Sequence, residues 1–143
     1  MTGRPSVGMP TRDVTVRWLG EGLLFEARAG ERPPLRVDGH TKVAASPVEL
    51  LLVSAATCAG SDVVLILEKQ RVQLRALDLV VIAERRTTEP RRVTAIHFRV
   101  NVAGEGADEA KVSRAVALSL EKYCSVVASL APDTRVTYDI TIA

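Results

Sequence analysis

Two cysteines, Cys58 and Cys124, have the widest chemical scope of any side chains in this 143-residue sequence, and they stand 66 positions apart. In a reducing compartment a cysteine is a small buried hydrophobe, a metal ligand or a redox group. The spacing lacks the close pairing of zinc sites, and His40 and His97 complete no ligand motif, so no metal is expected. Cys58 lies in an apolar run, residues 48–67, interrupted by Glu49 and Asp62. On a helical period it shares a face with Ser54, Ser61 and Asp62. Buried polar groups need partners, so this patch either hydrogen-bonds to a neighbouring helix or lines a pocket. Cys58 is far from the helix N-terminus, where the dipole would help it, and reactivity requires a cation from another element. Taken alone, each cysteine reads as an inert core residue.

The elements that must position these sulfurs follow from the patterning. Strand-like runs cover residues 14–18, 23–27 and 35–37, with Gly20 and Gly22 turning the first pair and Asp38-Gly39 closing the third. Ser46-Pro47-Val48-Glu49 combines a capping box with proline at the first helical position. From there to about residue 70 apolar residues occupy nearly every face, as in a helix buried all round. Residues 77–86 and 96–102 alternate as strands, the second with His97, Arg99 and Asn101 on its polar face. Asp108 can cap a helix to about residue 121; helical character resumes over 125–130, and 136–142 alternate again. The order βββ-α-ββ-αα-β, with strands in adjacent runs, indicates an α+β fold with antiparallel sheets. Residues 1–12 read as a flexible leader and 13–143 as one domain. His97 reads as solvated, as do Arg85, Arg86, Arg91 and Arg92 around a strand turn, and His40 follows a turn.

Composition narrows the function. A domain near this length buries about two-thirds of its unfolded surface, enough for a core without staples. Nineteen basic and seventeen acidic residues leave a net charge of +2, and one Trp, two Tyr and two Phe are the whole aromatic supply. That supplies neither a basic footprint nor stacking platforms, so no nucleic-acid partner is expected. Glu49 and Asp62 make residues 48–67 a poor membrane span, and the leader carries no apolar signal core. No membrane partner is expected, and the setting is cytoplasmic.

Ser46-Pro47-Val48-Glu49-Leu50-Leu51-Leu52 followed by Cys58 resembles the central-helix signature of the OsmC/Ohr family of osmotically induced and organic-hydroperoxide-resistance proteins. Leu118-Ser119-Leu120-Glu121-Lys122-Tyr123-Cys124-Ser125-Val126 is similar to that family's second cysteine motif. Trp18 with Gly20, Glu84-Arg85-Arg86 and Pro90 fall where one OsmC-like branch has them, and the likeness runs from about residue 13 to the C-terminus. The resemblance implies an intertwined homodimer, with two long central helices surrounded by sheets and active sites at the interface. It implies thiol-dependent reduction of peroxides, organic hydroperoxides in preference to inorganic ones, with Cys58 as peroxidatic nucleophile and Cys124 as resolving residue. It implies no resident cofactor and an external dithiol reductant, protein or small molecule.

Two departures stand against a simple transfer. The family's peroxidases place a Glu directly after the helix-opening Pro, paired with an Arg near the first thiol. Here that position is Val48, and Glu49 comes one residue later, about 100° further round the helix. No Arg matches by position; Arg36 is the first candidate, with Arg17 and Arg28 behind it. The alternative is therefore a non-peroxidase dimer that binds a small apolar or acyl ligand at its interface, with the cysteines as lining.

Overall fold

The structure, a computed structural model, describes Gly8 and residues 10–143. Most of the expected 1–12 leader lies outside the described residues. The chain divides into two compact units, one ending at Leu50 and the other running from Leu51 to Ala143.

The first unit is an antiparallel meander of β1 (Thr15–Trp18), β2 (Leu24–Arg28) and β3 (Leu35–Asp38). Gly20 and Gly22 turn β1 into β2 at φ +85° and +51°, a region where other residues meet their own Cβ. The turn is pinned by the Trp18 indole N–H, which donates to the Gly22 carbonyl at 3.1 Å. β3 ends at Asp38, only 4% exposed. Its carboxylate accepts the amides of His40 (2.8 Å), Lys42 (3.0 Å) and Val43 (3.1 Å), organising the loop toward the next helix. Those amides, led by His40, hold the Asp38 carboxyl below its ordinary value.

α1 (Pro47–Lys69) opens with both halves of the expected capping box. The Ser46 amide donates to Glu49 Oε1 at 2.9 Å, and the Glu49 amide donates to Ser46 Oγ at 3.1 Å. These contacts lower the Glu49 carboxyl as well. Both depressed carboxylates stabilise the fold above the ordinary carboxylate range, and that contribution is lost as pH falls through their lowered values. Thermal melts should therefore drop as pH is lowered below about 4. In Asp38→Ala and Glu49→Ala proteins part of that slope should be missing.

In the second unit α1 buries a narrow stripe, Ala55, Ala59, Val63 and Leu67, each four residues after the last. Gly60 joins it because a Cβ there would come 3.2 Å from Leu79 Cδ1 on the sheet below. The helix ends where Arg71, at φ +62°, donates to the Glu68 carbonyl and Val72 donates to that of Leu67, a Schellman stop. β4 (Gln73–Arg85) and β5 (Val93–Glu105) then pair antiparallel. Ile96, Phe98, Val100 and Val102 are buried on one face of β5, opposite Ala83, Val81, Leu79 and Leu77 of β4. α2 (Glu109–Leu118) is capped by Asp108, which accepts the Lys111 amide at 2.8 Å, and buries Val112, Ala115 and Val116. A π-helical turn, Ser119–Tyr123, leads into the short α3 (Ser125–Ala128) and then β6 (Arg135–Ile142).

The element order matches the sequence expectation, and one pairing corrects it. The expected sheets are antiparallel throughout, but β6 lies parallel to β5, with Ile96 beside Val136 and Phe98 beside Tyr138. The intervening helices form a crossover that returns the chain to the end from which β5 started, and a parallel pair requires a connection of that length.

Gly104 is held to glycine by backbone proximity. A Cβ there would lie 2.5 Å from the Gln73 carbonyl oxygen and 2.9 Å from Leu74 Cα, beside the register shift between Leu74 and Ala76. Backbone cannot yield as a side chain can, so Gly104→Ala should destabilise by about 1–3 kcal/mol, read as a lower denaturation midpoint.

Candidate active site

Cys58 projects half-buried from the middle of α1, and Cys124 is buried, 3% exposed. The π turn sets the second cysteine. The Cys124 amide donates to the Ser119 carbonyl five residues back, at 2.7 Å, and Cys124 itself is extended (φ −71°, ψ 103°). From there its sulfur caps α3, accepting the Val127 amide at 3.5 Å, with the Cys58 thiol close enough to influence its ionisation. Two cysteines 66 positions apart along the chain thus come near enough for one thiol to act on the other, both as free thiols.

Burial is the largest influence on the Cys124 thiol and pushes its pKa above the ordinary value. The Cys58 thiol pushes in the same direction, while the Val127 and Val126 amides work against both. Cys124 is therefore held in its protonated form at neutral pH.

The polar patch around Cys58 resolves into two parts. Ser61 Oγ donates to the Thr57 carbonyl at 2.7 Å and Thr57 Oγ1 to that of Val53 at 2.8 Å, so both hydroxyls bond back along their own helix. Asp62 reaches outward: its Oδ2 accepts the Ser119 hydroxyl at 2.8 Å. It also lines a 150 Å³ cleft with Leu65, Ile66, Lys69 and Tyr123. The bond to a neighbouring helix and the pocket lining, alternatives in sequence, coexist at this one residue. Ser119 is the site residue that sequence reasoning missed. It lies inside the second cysteine motif, four and three residues after the buried Ala115 and Val116, so a hydroxyl on the apolar stripe of α2 was the signal available.

Glu49 and Arg36 lie in the first unit. The Glu49 carboxylate is engaged by Ser46, and Arg36 is exposed on β3, in register with Glu26 of β2. Among the described residues Arg36 forms no ion pair, and no group of three His, Cys, Asp or Glu is placed to hold a metal ion. His97 departs from the solvated expectation. It is partly covered, with Nδ1 2.7 Å from Thr137 Oγ1 and Nε2 2.8 Å from Asp139 Oδ2, because β6 lies alongside it.

A family model described as OsmC-like protein matches residues 39–139, which include both cysteines. The chain belongs to the OsmC family. Protein YhfA of Escherichia coli strain K12 is 36% identical over 128 residues, spanning 89% of this OsmC-family chain and 95% of YhfA. A crystal structure of a hypothetical protein from Aquifex aeolicus VF5 superposes with a TM-score of 0.82 at 28% identity, covering 94% of this chain and 99% of that one. The organic hydroperoxide resistance protein OhrB of Bacillus subtilis shares the fold at 14% identity, with a TM-score of 0.62 over 92% of this chain and 98% of OhrB. The α+β fold with its long apolar helix is thus that of OsmC-like proteins.

Proposed function

We propose that this OsmC-family chain is a two-cysteine thiol peroxidase acting on organic hydroperoxides, with residues 13–143 working as one domain. The observation that carries the reading is that Ser119 joins the helix of Cys58, through Asp62, to the turn of Cys124, through its own carbonyl, with the thiols near enough for Cys58 to raise the Cys124 pKa. Cys58 sulfur attacks the distal peroxide oxygen, the O–O bond breaks, and the alkoxide leaves as an alcohol after taking a proton. Cys58 is left as a sulfenic acid. Cys124 sulfur then attacks Cys58 sulfur; the S–S bond forms, the S–O bond breaks, and water departs with the Cys124 proton. An external dithiol returns two electrons by exchange. Arg36 is proposed as the cation that supports Cys58, and Glu49 as a further catalytic side chain besides its capping of α1. A cytoplasmic setting keeps both thiols reduced between turnovers, with no cofactor required.

The catalytic form is a homodimer. α1 leaves Leu51, Val53 and Leu65 exposed, the last two by 51% and 58%, although the helix is apolar on nearly every face. A second copy of α1 covers that surface and completes a dry pocket for an alkyl or lipid hydroperoxide. Stopped-flow mixing with cumene hydroperoxide tests the activity: thiol loss should be much faster than from free cysteine, and equal rates would refute it. Arg36→Met should slow that first phase, with Arg36→Lys restoring part of it.

One observation favours the second reading, a dimer that binds a small apolar or acyl ligand without turnover: the Glu49 carboxylate is already engaged by Ser46. Alkylation separates the two. Under the peroxidase reading Cys58 reacts with iodoacetamide at pH 7 faster than free cysteine, and under the binding reading it does not.

A further inference from the structure

The thiol chemistry above makes no use of the Ser119–Asp62 hydrogen bond, yet that bond ties the two cysteines together. Ser119 is completely buried. Its hydroxyl lies 2.8 Å from Asp62 Oδ2 and 3.5 Å from the Ala59 carbonyl. Ala59 directly follows Cys58, and Asp62 stands one helical turn beyond it. The Ser119 carbonyl meanwhile accepts the Cys124 amide at 2.7 Å and closes the π turn. One residue therefore grips the helix of the first cysteine with its side chain and the backbone of the second with its carbonyl.

A π turn is a rare, single-turn departure from the α-helix and persists where surrounding contacts hold it. Were Ser119–Tyr123 to relax to α geometry, Cys124 would swing by about 100° and advance by about 1.5 Å along the axis. That would carry its sulfur away from Cys58.

We infer that Asp62 and Ser119 are positioning residues for disulfide closure, holding the π turn so that Cys124 sulfur faces the Cys58 sulfenic acid. The inference rests on the peroxidase reading and concerns its second step alone. In that step Cys124 sulfur bonds to Cys58 sulfur, the S–O bond of the sulfenic acid breaks, and the hydroxyl leaves as water with the Cys124 proton. The hydroperoxide consumed in the first step is the only oxidant. A sulfenic acid left waiting meets a second hydroperoxide and goes on to sulfinic acid, so slow closure leaves a chemical record.

Ser119→Ala, Asp62→Ala and Asp62→Asn proteins, all full length, test it with cumene hydroperoxide. Thiol loss reports the first step, non-reducing mass spectrometry reports disulfide, and an added mass of two oxygens reports sulfinic acid. In Ser119→Ala the first step should stay within about twofold of wild type; Asp62→Ala and Asp62→Asn remove the same charge beside Cys58, so these two are compared with each other on closure alone. Closure should slow by ~10- to 100-fold, the scale of a roughly 1 Å misplacement, and sulfinic acid should accumulate. Asp62→Asn keeps an oxygen for the Ser119 hydroxyl and should close at nearly the wild-type rate, a rescue that general loosening of the fold would not give. The Ser119→Ala/Asp62→Ala double variant should be no slower than either single. Wild-type closure rates in both alanine variants, or Asp62→Asn as slow as Asp62→Ala, would overturn the inference while leaving the peroxidase reading intact. A wild-type protein that forms no sulfenate overturns both.

Discussion

Cys58→Ser should reduce hydroperoxide consumption to the rate of buffer alone, the largest effect expected of any single substitution here. The hydroxyl that replaces the thiol is not nucleophilic toward a peroxide oxygen and cannot be carried as a sulfenic acid. Cys58 is half-buried, and oxygen is smaller than sulfur, so the variant should fold and melt close to wild type. Coupled oxidation of a dithiol reductant measures turnover, and mass spectrometry checks that the remaining Cys124 stays reduced. Because burial holds Cys124 protonated, it should not substitute for its neighbour at neutral pH.

Cys124→Ser should have a different signature: one hydroperoxide consumed per chain, then a halt. Cys58 is left as a trappable sulfenic acid, and turnover falls to the rate at which outside thiols reach it. In the native protein the pH dependence of closure identifies Cys124 as the attacking sulfur. Its pKa lies above the ordinary thiol value, so the reactive fraction keeps rising by about tenfold per pH unit past pH ~8.5 rather than levelling there. The same burial makes the protonated thiol a stabilising group. Its contribution is complete below the ordinary thiol value and is lost as pH climbs through the raised one. Reduced wild-type protein should therefore lose stability in alkaline solution, and Cys124→Ser should lose less.

What the sequence could show depended on how local the physics was. The capping box at Ser46 and Glu49 is a contact between residues three apart, and both of its hydrogen bonds are present. The alternation of Ile96, Phe98, Val100 and Val102 named the buried face of β5 directly. The same alternation in Val136, Tyr138, Ile140 and Ile142 identified β6 but carried no direction, so its parallel pairing was illegible. The two bonds to His97 depend on that register and were hidden with it. The π turn leaves no residue signature at all, since it differs from an α turn only in which carbonyl the Cys124 amide selects. Asp62 was visible as a polar intrusion beside Cys58, but its partner Ser119 lies 57 residues away, and no period links the two. Long-range pairing of this kind is also why the cysteine proximity was suggested by likeness to a family rather than by spacing.

The most direct test of the central claim is the covalent state of the protein after mild treatment with an alkyl hydroperoxide. Purified reduced protein receives one equivalent of cumene hydroperoxide and is digested without reductant. The peptide carrying Cys58 should then be recovered joined to the peptide carrying Cys124 from the same chain, with a mass lower by two hydrogens. Recovery of both peptides as free thiols, or of disulfides only between separate molecules, would contradict the account.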